Sequence, residues 1–374
     1  MRTDLEIEQL GLDPVRVTPR PTRRPKRSLP SIVWIVAAVA AALLGVIAFL
    51  VLSSDKEPKQ VVAAGASSRS IAVSADGTLL AVGLLDGSLR ILNAHSGKTL
   101  ARQKADKPEQ RLPTVAAISF GPPNTVLVLR AGDSKLHIFS HDLQAHTERA
   151  VRPNAHDLVW SRALDAALVL TGGGDNLQPK IEVFPARPMG IQKSTAQLWN
   201  LINWSKPKHI AVSADGSRLA MSFASTRKQN VLVYDPRARR TASALLIPGE
   251  PEGVAFASNG RRLWATSPSL EAISEVGGSS IARTQFPRLA STSPPRMIAV
   301  NESRRRAYTT GSLTFPEIDL DQRRITRKVE LPERSAGIAL SPDGSTAYLT
   351  FEKLDIVGVV DLHAMRWVRE IKLR

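Results

Sequence analysis

A seven-residue segment, IAVSADG, occurs twice in this 374-residue chain, at residues 71–77 and again at residues 210–216. Each copy is followed by a second apolar run, TLLAVGLL in the first case and SRLAMSF in the second. Identical segments in similar surroundings indicate an internal structural repeat. The chain is therefore expected to be built from copies of one small unit.

Weaker versions of the segment extend the repeat to the C-terminus. The seven unit starts are Ile71, Ala116, Leu158, Ile210, Val254, Ile298 and Ile338. Their spacing ranges from 40 residues (298 to 338) to 52 residues (158 to 210). A period in the forties with several short strands per unit is typical of a propeller blade. We therefore predict an all-β fold, a seven-bladed β-propeller over residues 71–374.

The last unit shows how one repeat becomes four strands. GIALSPDG is a short apolar strand and a turn, in which Pro342 fixes φ and Gly344 accepts a positive φ. STAYLTF and DIVGVVDL have the apolar character of covered strands, and RWVREIKL alternates like an outer strand with one wet face. The heptapeptide is thus the innermost strand with its turn. The serine at its fourth position, as at Ser74, Ser213 and Ser341, is expected to bond to the turn backbone.

The last unit, IALSPDGSTAYLTFEKLDIVGVVDLHAMRWVREIKL, resembles a YVTN-type, WD-repeat-like β-propeller unit, and the resemblance covers about residues 71–374. It is carried by the S-x-D-G turn and by a third strand ending in V-x-D, kept at Val233–Asp235 and Val359–Asp361. The Gly-His and Trp-Asp pairs of true WD repeats are absent. The resemblance implies the propeller fold and leaves the function open, because propellers include lactonases, quinoproteins, protease gates and scaffolds.

An uncharged stretch of 21 residues, IVWIVAAVAAALLGVIAFLVL at residues 32–52, precedes the repeats. As a helix it would be about 31 Å long, close to the roughly 30 Å hydrocarbon thickness of a bilayer. Residues 16–27 before it contain six Lys or Arg side chains, which places the N-terminus in the cytoplasm. The stretch is longer than the roughly 7–15 apolar residues of a signal peptide, so we predict a single uncleaved transmembrane α-helix.

The predicted domains follow from these boundaries. Residues 1–31 form a basic, Pro-rich cytoplasmic tail, either disordered or carrying a short partner-docking helix in DLEIEQLGL; residues 32–52 form the membrane helix. Residues 53–70 are a linker. Within it, KQVVAAGASS either adds a closing strand to the last blade or only connects the membrane helix to the propeller, and we favour the closing strand. The propeller then lies in the periplasm, anchored to a bacterial inner membrane.

Composition excludes several kinds of chemistry. The chain has no cysteine, which excludes disulfides, thiolate nucleophiles, Cys-ligated zinc and C-x-x-C-H haem attachment. No G-x-S-x-G motif is present. The formal charge of +16 is spread without a tight basic cluster among aromatic residues, so no nucleic-acid partner is predicted. No cofactor is predicted, and a small-molecule ligand is left unknown.

Loops between second and third strands supply most of the candidate contact residues. Asp86, Asp133 and Asp175 recur there, either as a carboxylate ring for a cation or basic partner or, as we favour, as ordinary turn residues. An insertion in the third unit carries a possible aromatic anchor. The predicted ligand or partner contacts are Asp86, Asp133, Asp175, Arg227, Lys228 and Trp204.

Three histidines, His137, His141 and His146, lie close together in the sequence. No H-E-x-x-H or similar spacing accompanies them, and a turn is expected between the first two, so no metal site is predicted. The pattern as a whole favours a binding role: a membrane-anchored periplasmic propeller that serves as a protein-interaction platform or accessory subunit of an envelope complex. The alternatives are a lactonase-like hydrolase and a sensor of a small or anionic envelope ligand.

Overall fold

The structure is a computed structural model that describes residues 68–103, 113–122, 124–172, 178–186, 206–225, 229–247, 249–256, 260, 262–267, 272–277, 282–285 and 295–373. The chain divides into two units, and every described residue lies in the second, Ala63–Arg374. No helix in the described ranges has the length and apolar character of a membrane span. The predicted tail, the predicted membrane helix and most of the predicted linker lie outside these ranges.

The described strands pair antiparallel, in chain order, into seven sheets. The first three sheets contain β1 (Ser68–Val73), β2 (Leu79–Leu84), β3 (Leu89–Asn93) and β4 (Thr99–Gln103); β5 (Val115–Phe120), β6 (Thr125–Arg130), β7 (Lys135–Ser140) and β8 (His146–Ala150); and β9 (Ala155–Ser161), β10 (Ala166–Thr171) and β11 (Lys180–Pro185). The fourth and fifth contain β12 (Pro207–Val212), β13 (Leu219–Phe223), β14 (Val231–Asp235) and β15 (Arg240–Leu245); and β16 (Val254–Phe256), β17 (Arg262–Ser267), β18 (Ala272–Gly277) and β19 (Ala282–Gln285). The sixth and seventh contain β20 (Ile298–Asn301), β21 (Arg306–Thr309), β22 (Thr314–Asp319) and β23 (Arg324–Glu330); and β24 (Ser335–Leu340), β25 (Thr346–Phe351), β26 (Ile356–Asp361) and β27 (Arg366–Lys372).

The all-β propeller fold is confirmed, whereas only six of the seven predicted four-stranded blades are complete in the described residues. Six sheets have four strands, and the third has three strands within the described residues, β9 to β11. Within the described residues β11 ends at Pro185, and proline lacks the N–H that a strand needs to continue a ladder. Residues 187–205, in which the fourth strand of this unit was expected, lie outside the description.

The first strands of the sheets form the inner wall of the ring. Each contacts the first strand of the next sheet: β1 with β5, β5 with β9, β9 with β12, β12 with β16, β16 with β20, β20 with β24, and β24 with β1. Every predicted unit start lies within one of these strands. The heptapeptide therefore recurs because it builds the inner strand and the turn that follows.

Apolar side chains fill the spaces between neighbouring sheets. The described residues contain seven buried clusters, and each draws its members from two adjacent sheets. Trp264 packs into the cluster between the fifth and sixth sheets, and Leu80 and Tyr348 pack into the cluster between the first and seventh. Burial of one large apolar side chain stabilises by about 1.5–3 kcal/mol. The stability of the ring is therefore distributed over all its interfaces.

The turn after the inner strand is held by side-chain hydrogen bonds, as predicted. Ser74 Oγ donates to Asp76 Oδ1 at 2.5 Å and accepts from the Leu79 N–H at 2.9 Å, while Asp76 Oδ1 also accepts from the Thr78 N–H at 3.0 Å. These bonds lower the pKa of Asp76 to about 2, the bond from Ser74 having the largest effect. The same pattern recurs at the turns that begin with Ser213 and Ser341.

The seam between the first and seventh sheets closes the ring. All four strands of the seventh sheet, β24 to β27, come from the last sequence repeat. Across the seam, the Arg369 guanidinium donates to the carbonyl oxygens of Ser96 at 3.0 Å and Ala94 at 3.1 Å. Of the predicted closing segment only Ser68 lies in the described residues, and it belongs to β1. The proposed extra strand thus lies outside the description.

Candidate functional site

Two of the six predicted contact residues, Asp86 and Asp133, lie in the described part of the chain. The other four, Asp175, Trp204, Arg227 and Lys228, lie outside it.

Asp86 stabilises the turn between β2 and β3. Its Oδ1 accepts from the Ser88 N–H at 2.9 Å and from Ser88 Oγ at 2.6 Å, and the side chain is on the surface. A short carboxylate that accepts from the residue two positions further on is the usual Asx arrangement of a turn. Asp86 therefore supports the interpretation of these aspartates as turn residues.

Asp133 connects to a cluster of ionisable side chains on the second sheet. Its Oδ2 lies 2.8 Å from Nε2 of His137, which is on β7. In the antiparallel register His137 is opposite Glu148 of β8, and Phe139 is opposite His146. Residues two apart in a strand share a face. His137, His146 and Glu148 therefore project from one face of the β7–β8 hairpin.

The three side chains converge through one atom each. His137 Nδ1 lies 3.1 Å from His146 Nε2 and 3.4 Å from Glu148 Oε1, and the last two atoms are 3.8 Å apart. The His137 side chain is buried, whereas the side chains of His146 and Glu148 are each 36% exposed. The Lys135 ammonium binds the other carboxylate oxygen, Glu148 Oε2, at 2.6 Å. We call His137, His146 and Glu148 the hairpin triad.

The hydrogen bonds define how the protons are placed in the hairpin triad. Because the Asp133 carboxylate accepts from His137 Nε2, that nitrogen carries a proton. The other ring nitrogen, Nδ1, faces His146 Nε2. Burial and the neighbouring His137 lower the pKa of His146, and the bond from Lys135 lowers the pKa of Glu148. At neutral pH the cluster therefore offers a neutral His146 imidazole and an ionised carboxylate.

The sequence interpretation grouped the histidines differently. His141 lies in the turn after β7, where its Nε2 is 3.2 Å from the Thr125 carbonyl oxygen and its ring meets Phe120 edge to face at 5.2 Å. It is thus separate from the hairpin triad, as the predicted turn between His137 and His141 implied. Glu148 was missed. The signal for it is the pattern H-T-E at the start of an outer strand, which places two ligand-type side chains on one face.

A cavity of about 650 Å³ lies at the turns that follow the inner strands of the first three sheets. Its lining includes Asp76, Phe120, His141, Trp160 and Arg162. Antiparallel strands place these turns at the end of the sheets opposite the β2–β3 loop, whereas the contact residues were predicted on that loop side. The cavity combines two aromatic walls with a guanidinium and a carboxylate, a lining that suits a small polar ligand.

Comparison with known proteins agrees with the architecture. A family model described as the anaphase-promoting complex subunit 4 WD40 domain matches residues 59–122. A chain of the Kuenenia stuttgartiensis hydrazine synthase structure is similar over 82% of this chain and 98% of that chain, with 15% identity and a TM-score of 0.67. None of the curated proteins compared gives a significant match. At such identity the likeness concerns fold alone. The ring of sheets and these similarities together show a β-propeller fold, with a WD40-like match limited to residues 59–122.

Proposed function

We propose that the protein is a membrane-anchored, seven-bladed β-propeller that acts as a protein-interaction platform or accessory subunit of an envelope complex. The observation that carries the proposal is the order of the chain: an uncharged 21-residue segment behind a basic tail, followed by a ring of sheets. One helix would fix the ring beside the bilayer with its N-terminus in the cytoplasm and the propeller in the periplasm. A strand from residues 187–205 would complete the third blade.

The rim of the ring supports an interaction role. Leu100 on the outer strand β4 is 52% exposed, and Val368 on the outer strand β27 is 51% exposed. These strands belong to the neighbouring first and seventh sheets. A cavity of about 340 Å³ at the same seam is lined by Val368 and by Ala94 and His95 of the first sheet. Exposed apolar side chains beside polar groups are the composition of a protein-binding patch.

The membrane part of the proposal is tested by fractionation of cells that express the full chain. We expect the protein in the membrane fraction after alkaline carbonate washing, and a chain without residues 32–52 in the soluble fraction. A reporter active only outside the cytoplasm, fused after residue 374, should be active. Release of the full chain by carbonate, or an inactive reporter with stable fusion protein, would contradict the anchor.

The platform role is tested by capture of the detergent-solubilised full chain. We expect one stoichiometric membrane or envelope protein to co-purify, and its recovery to fall when residues 1–31 are deleted or when Trp204→Ala, Leu100→Asp or Val368→Asp is introduced. Leu313→Asp is the control, because Leu313 is 44% exposed but lies between β21 and β22 of the sixth sheet. Equal recovery in every variant would remove the support for this surface.

The cavity at the first three sheets favours a second candidate, a sensor of a small polar ligand. Arg162 supplies a cation beside Phe120 and Trp160. Asp76 and Asp165 supply carboxylates, so a small zwitterion is the expected ligand. A panel of small zwitterions such as amino acids should include a compound that raises the melting temperature of the full chain and leaves the melting temperature of Arg162→Ala unchanged. A panel with no such compound would exclude this candidate for the cavity. The hydrolase alternative rests on fold likeness only, and we do not propose it.

A further inference from the structure

We propose that the hairpin triad, His137, His146 and Glu148, binds a divalent transition-metal ion of the zinc class. The three groups are of the type that zinc selects: two imidazole nitrogens and one carboxylate oxygen. They lie together on one face of the β7–β8 hairpin, with His137 directly opposite Glu148. This site is independent of the membrane anchor and of the proposed platform surface.

The distances between the candidate ligand atoms fit a single ion. Zinc binds nitrogen and oxygen at about 2.0–2.2 Å, and tetrahedral geometry then separates two ligand atoms by about 3.3–3.5 Å. The observed separations in the hairpin triad are 3.1, 3.4 and 3.8 Å. Shifts of a few tenths of an ångström would make all three match. His146 and Glu148 are partly exposed and can rotate, and the His146 ring can shift in its own plane while it stays stacked on Phe139.

A hydrogen-bonded carboxylate already orients the buried ligand. Asp133 Oδ2 accepts from His137 Nε2 at 2.8 Å, which leaves His137 Nδ1 to face the other two groups. Metal-bound imidazoles commonly donate their second N–H to a carboxylate, and this partner fixes the tautomer and the ring orientation. The Asp133–His137 pair therefore has the geometry of a positioned ligand before any ion arrives.

The donor set is also favourable for a cation. Glu148 contributes a carboxylate beside the two imidazoles, and a metal binds all three groups through atoms that carry no proton. In the absence of metal, one proton on His146 Nε2 occupies the gap toward His137 Nδ1. On binding, the metal takes the place of this proton, which moves to solvent or to His146 Nδ1. The Lys135 ammonium remains bound to Glu148 Oε2, so the carboxylate binds the metal through Oε1 alone.

Three protein ligands leave a fourth tetrahedral position. Because His146 and Glu148 lie at the surface, this position is open to water or to a donor side chain of another protein. The site thus offers a metal-dependent contact on the outer part of the second sheet. The preferred ion is Zn²⁺, and other divalent ions that favour imidazole, such as Co²⁺ and Ni²⁺, are expected to bind the same atoms.

Metal binding by the tag-free full chain in detergent tests the proposal. After treatment with a chelator, equilibrium dialysis against Zn²⁺ should give one ion per chain, and Co²⁺ should produce the strong visible absorption of a tetrahedral site. His146→Ala and Glu148→Gln should weaken binding by more than the roughly 10- to 100-fold expected for the positioning change Asp133→Asn. His363→Ala is the matched control, since His363 is an exposed histidine of the seventh sheet, and it should bind like the unchanged protein.

Thermal unfolding separates loss of the site from loss of the fold. Each variant should retain the circular dichroism spectrum of the unchanged chain, and Zn²⁺ should raise the melting temperature only where the hairpin triad is intact. Affinity weaker than about 100 µM in the unchanged chain, or equal affinity in His146→Ala, would overturn the proposal.

Discussion

At the scale of single residues, the Glu317 carboxylate is buried within the sixth sheet and needs hydrogen-bond donors around it. It accepts from Arg327 Nε at 2.9 Å, from Arg327 Nη2 at 2.7 Å and from Thr326 Oγ1 at 2.9 Å. Burial would raise the pKa of Glu317, but the bonds from Arg327 and Thr326 outweigh it and lower that pKa. The carboxylate is therefore a buried anion that depends on its partners.

The substitution Arg327→Ala should expose that dependence. It removes two hydrogen bonds to Glu317 and the bond from Arg327 to the His363 carbonyl oxygen in the seventh sheet, at 2.7 Å. We expect a loss of about 2–3 kcal/mol in the free energy of unfolding, less than the roughly 3–5 kcal/mol of a fully buried pair because Arg327 is partly exposed and Thr326 remains. Arg324→Ala, an exposed arginine on the same strand, should cost under about 0.5 kcal/mol. Denaturant titration of both variants measures the difference, and equal costs would contradict this account.

The contact between Asp157 and His209 should make the stability of the protein depend on pH. Asp157 of β9 accepts from His209 Nδ1 and from the Ile210 N–H, at 2.9 Å in the latter case, and so joins the third sheet to the fourth. Burial opposes protonation of His209, but the Asp157 carboxylate and the more distant Glu252 prevail and raise the pKa of His209. A raised pKa means stabilisation that is complete below the ordinary histidine value of about 6.5 and is lost as pH rises through the folded value.

The unchanged protein should accordingly lose more stability between about pH 6 and about pH 9 than a His209→Gln variant does. Urea titrations at the two pH values give the comparison. If both proteins lost the same amount, the pH dependence would have to come from other groups, and the Asp157–His209 contact would not be the cause.

At the scale of the structural element, the repeated turn also forms part of the contact between sheets. Gly344, in the turn after β24, has a φ of +67°, and a Cβ built on it would overlap with the side-chain amide of Asn301 in the sixth sheet. The same amide donates to the Gly344 carbonyl oxygen at 2.9 Å. Glycine is thus required both by the backbone conformation and by the neighbouring blade.

Comparison of Gly344→Ala with Gly132→Ala separates these two requirements. Gly132 has a φ of +74°, but a Cβ there would meet no atom within 4 Å. Gly132→Ala should cost only the left-handed backbone penalty of about 1–2 kcal/mol. Gly344→Ala should lower the free energy of unfolding by at least about 1 kcal/mol more than Gly132→Ala does, because the amide of Asn301 must move. Equal destabilisation of the two variants in denaturant titrations would show that the turn does not contribute to the interface.

Sequence periodicity predicts the elements well and the side-chain clusters poorly. The seven inner strands could be predicted because each is a short apolar strand followed by a turn, and the S-x-D-G turns at Ser74, Ser213 and Ser341 set the register of the repeat. The hairpin triad could not be predicted from spacing, because His137 and His146 meet only through the register of β7 on β8. The fourth strand of the third unit stays a prediction, because residues 187–205 lie outside the described residues.

At the scale of the whole molecule, the interfaces between neighbouring sheets of the ring are all of the same kind. Each sheet packs its two faces against its neighbours, and each of the described interfaces contains one apolar cluster. The seam between the first and seventh sheets contains such a cluster, reinforced by the bonds of Arg369. Opening any interface exposes two apolar faces at once. The propeller should therefore unfold cooperatively, as one unit.

Two equivalent leucines test this cooperativity. Leu80 and Leu219 occupy the same position in their repeats, nine residues after Ile71 and Ile210. Leu80 lies in the seam cluster and Leu219 in the cluster between the third and fourth sheets, and both are buried. Leu80→Ala and Leu219→Ala should each cost about 2–5 kcal/mol and lower a single melting transition. Hydrogen exchange should then accelerate in all sheets in both variants, because the global opening governs exchange of the core amides. If the seam were the weak point of the ring, Leu80→Ala alone would produce an early transition confined to β1–β4 and β24–β27, and the closed-ring account would fail.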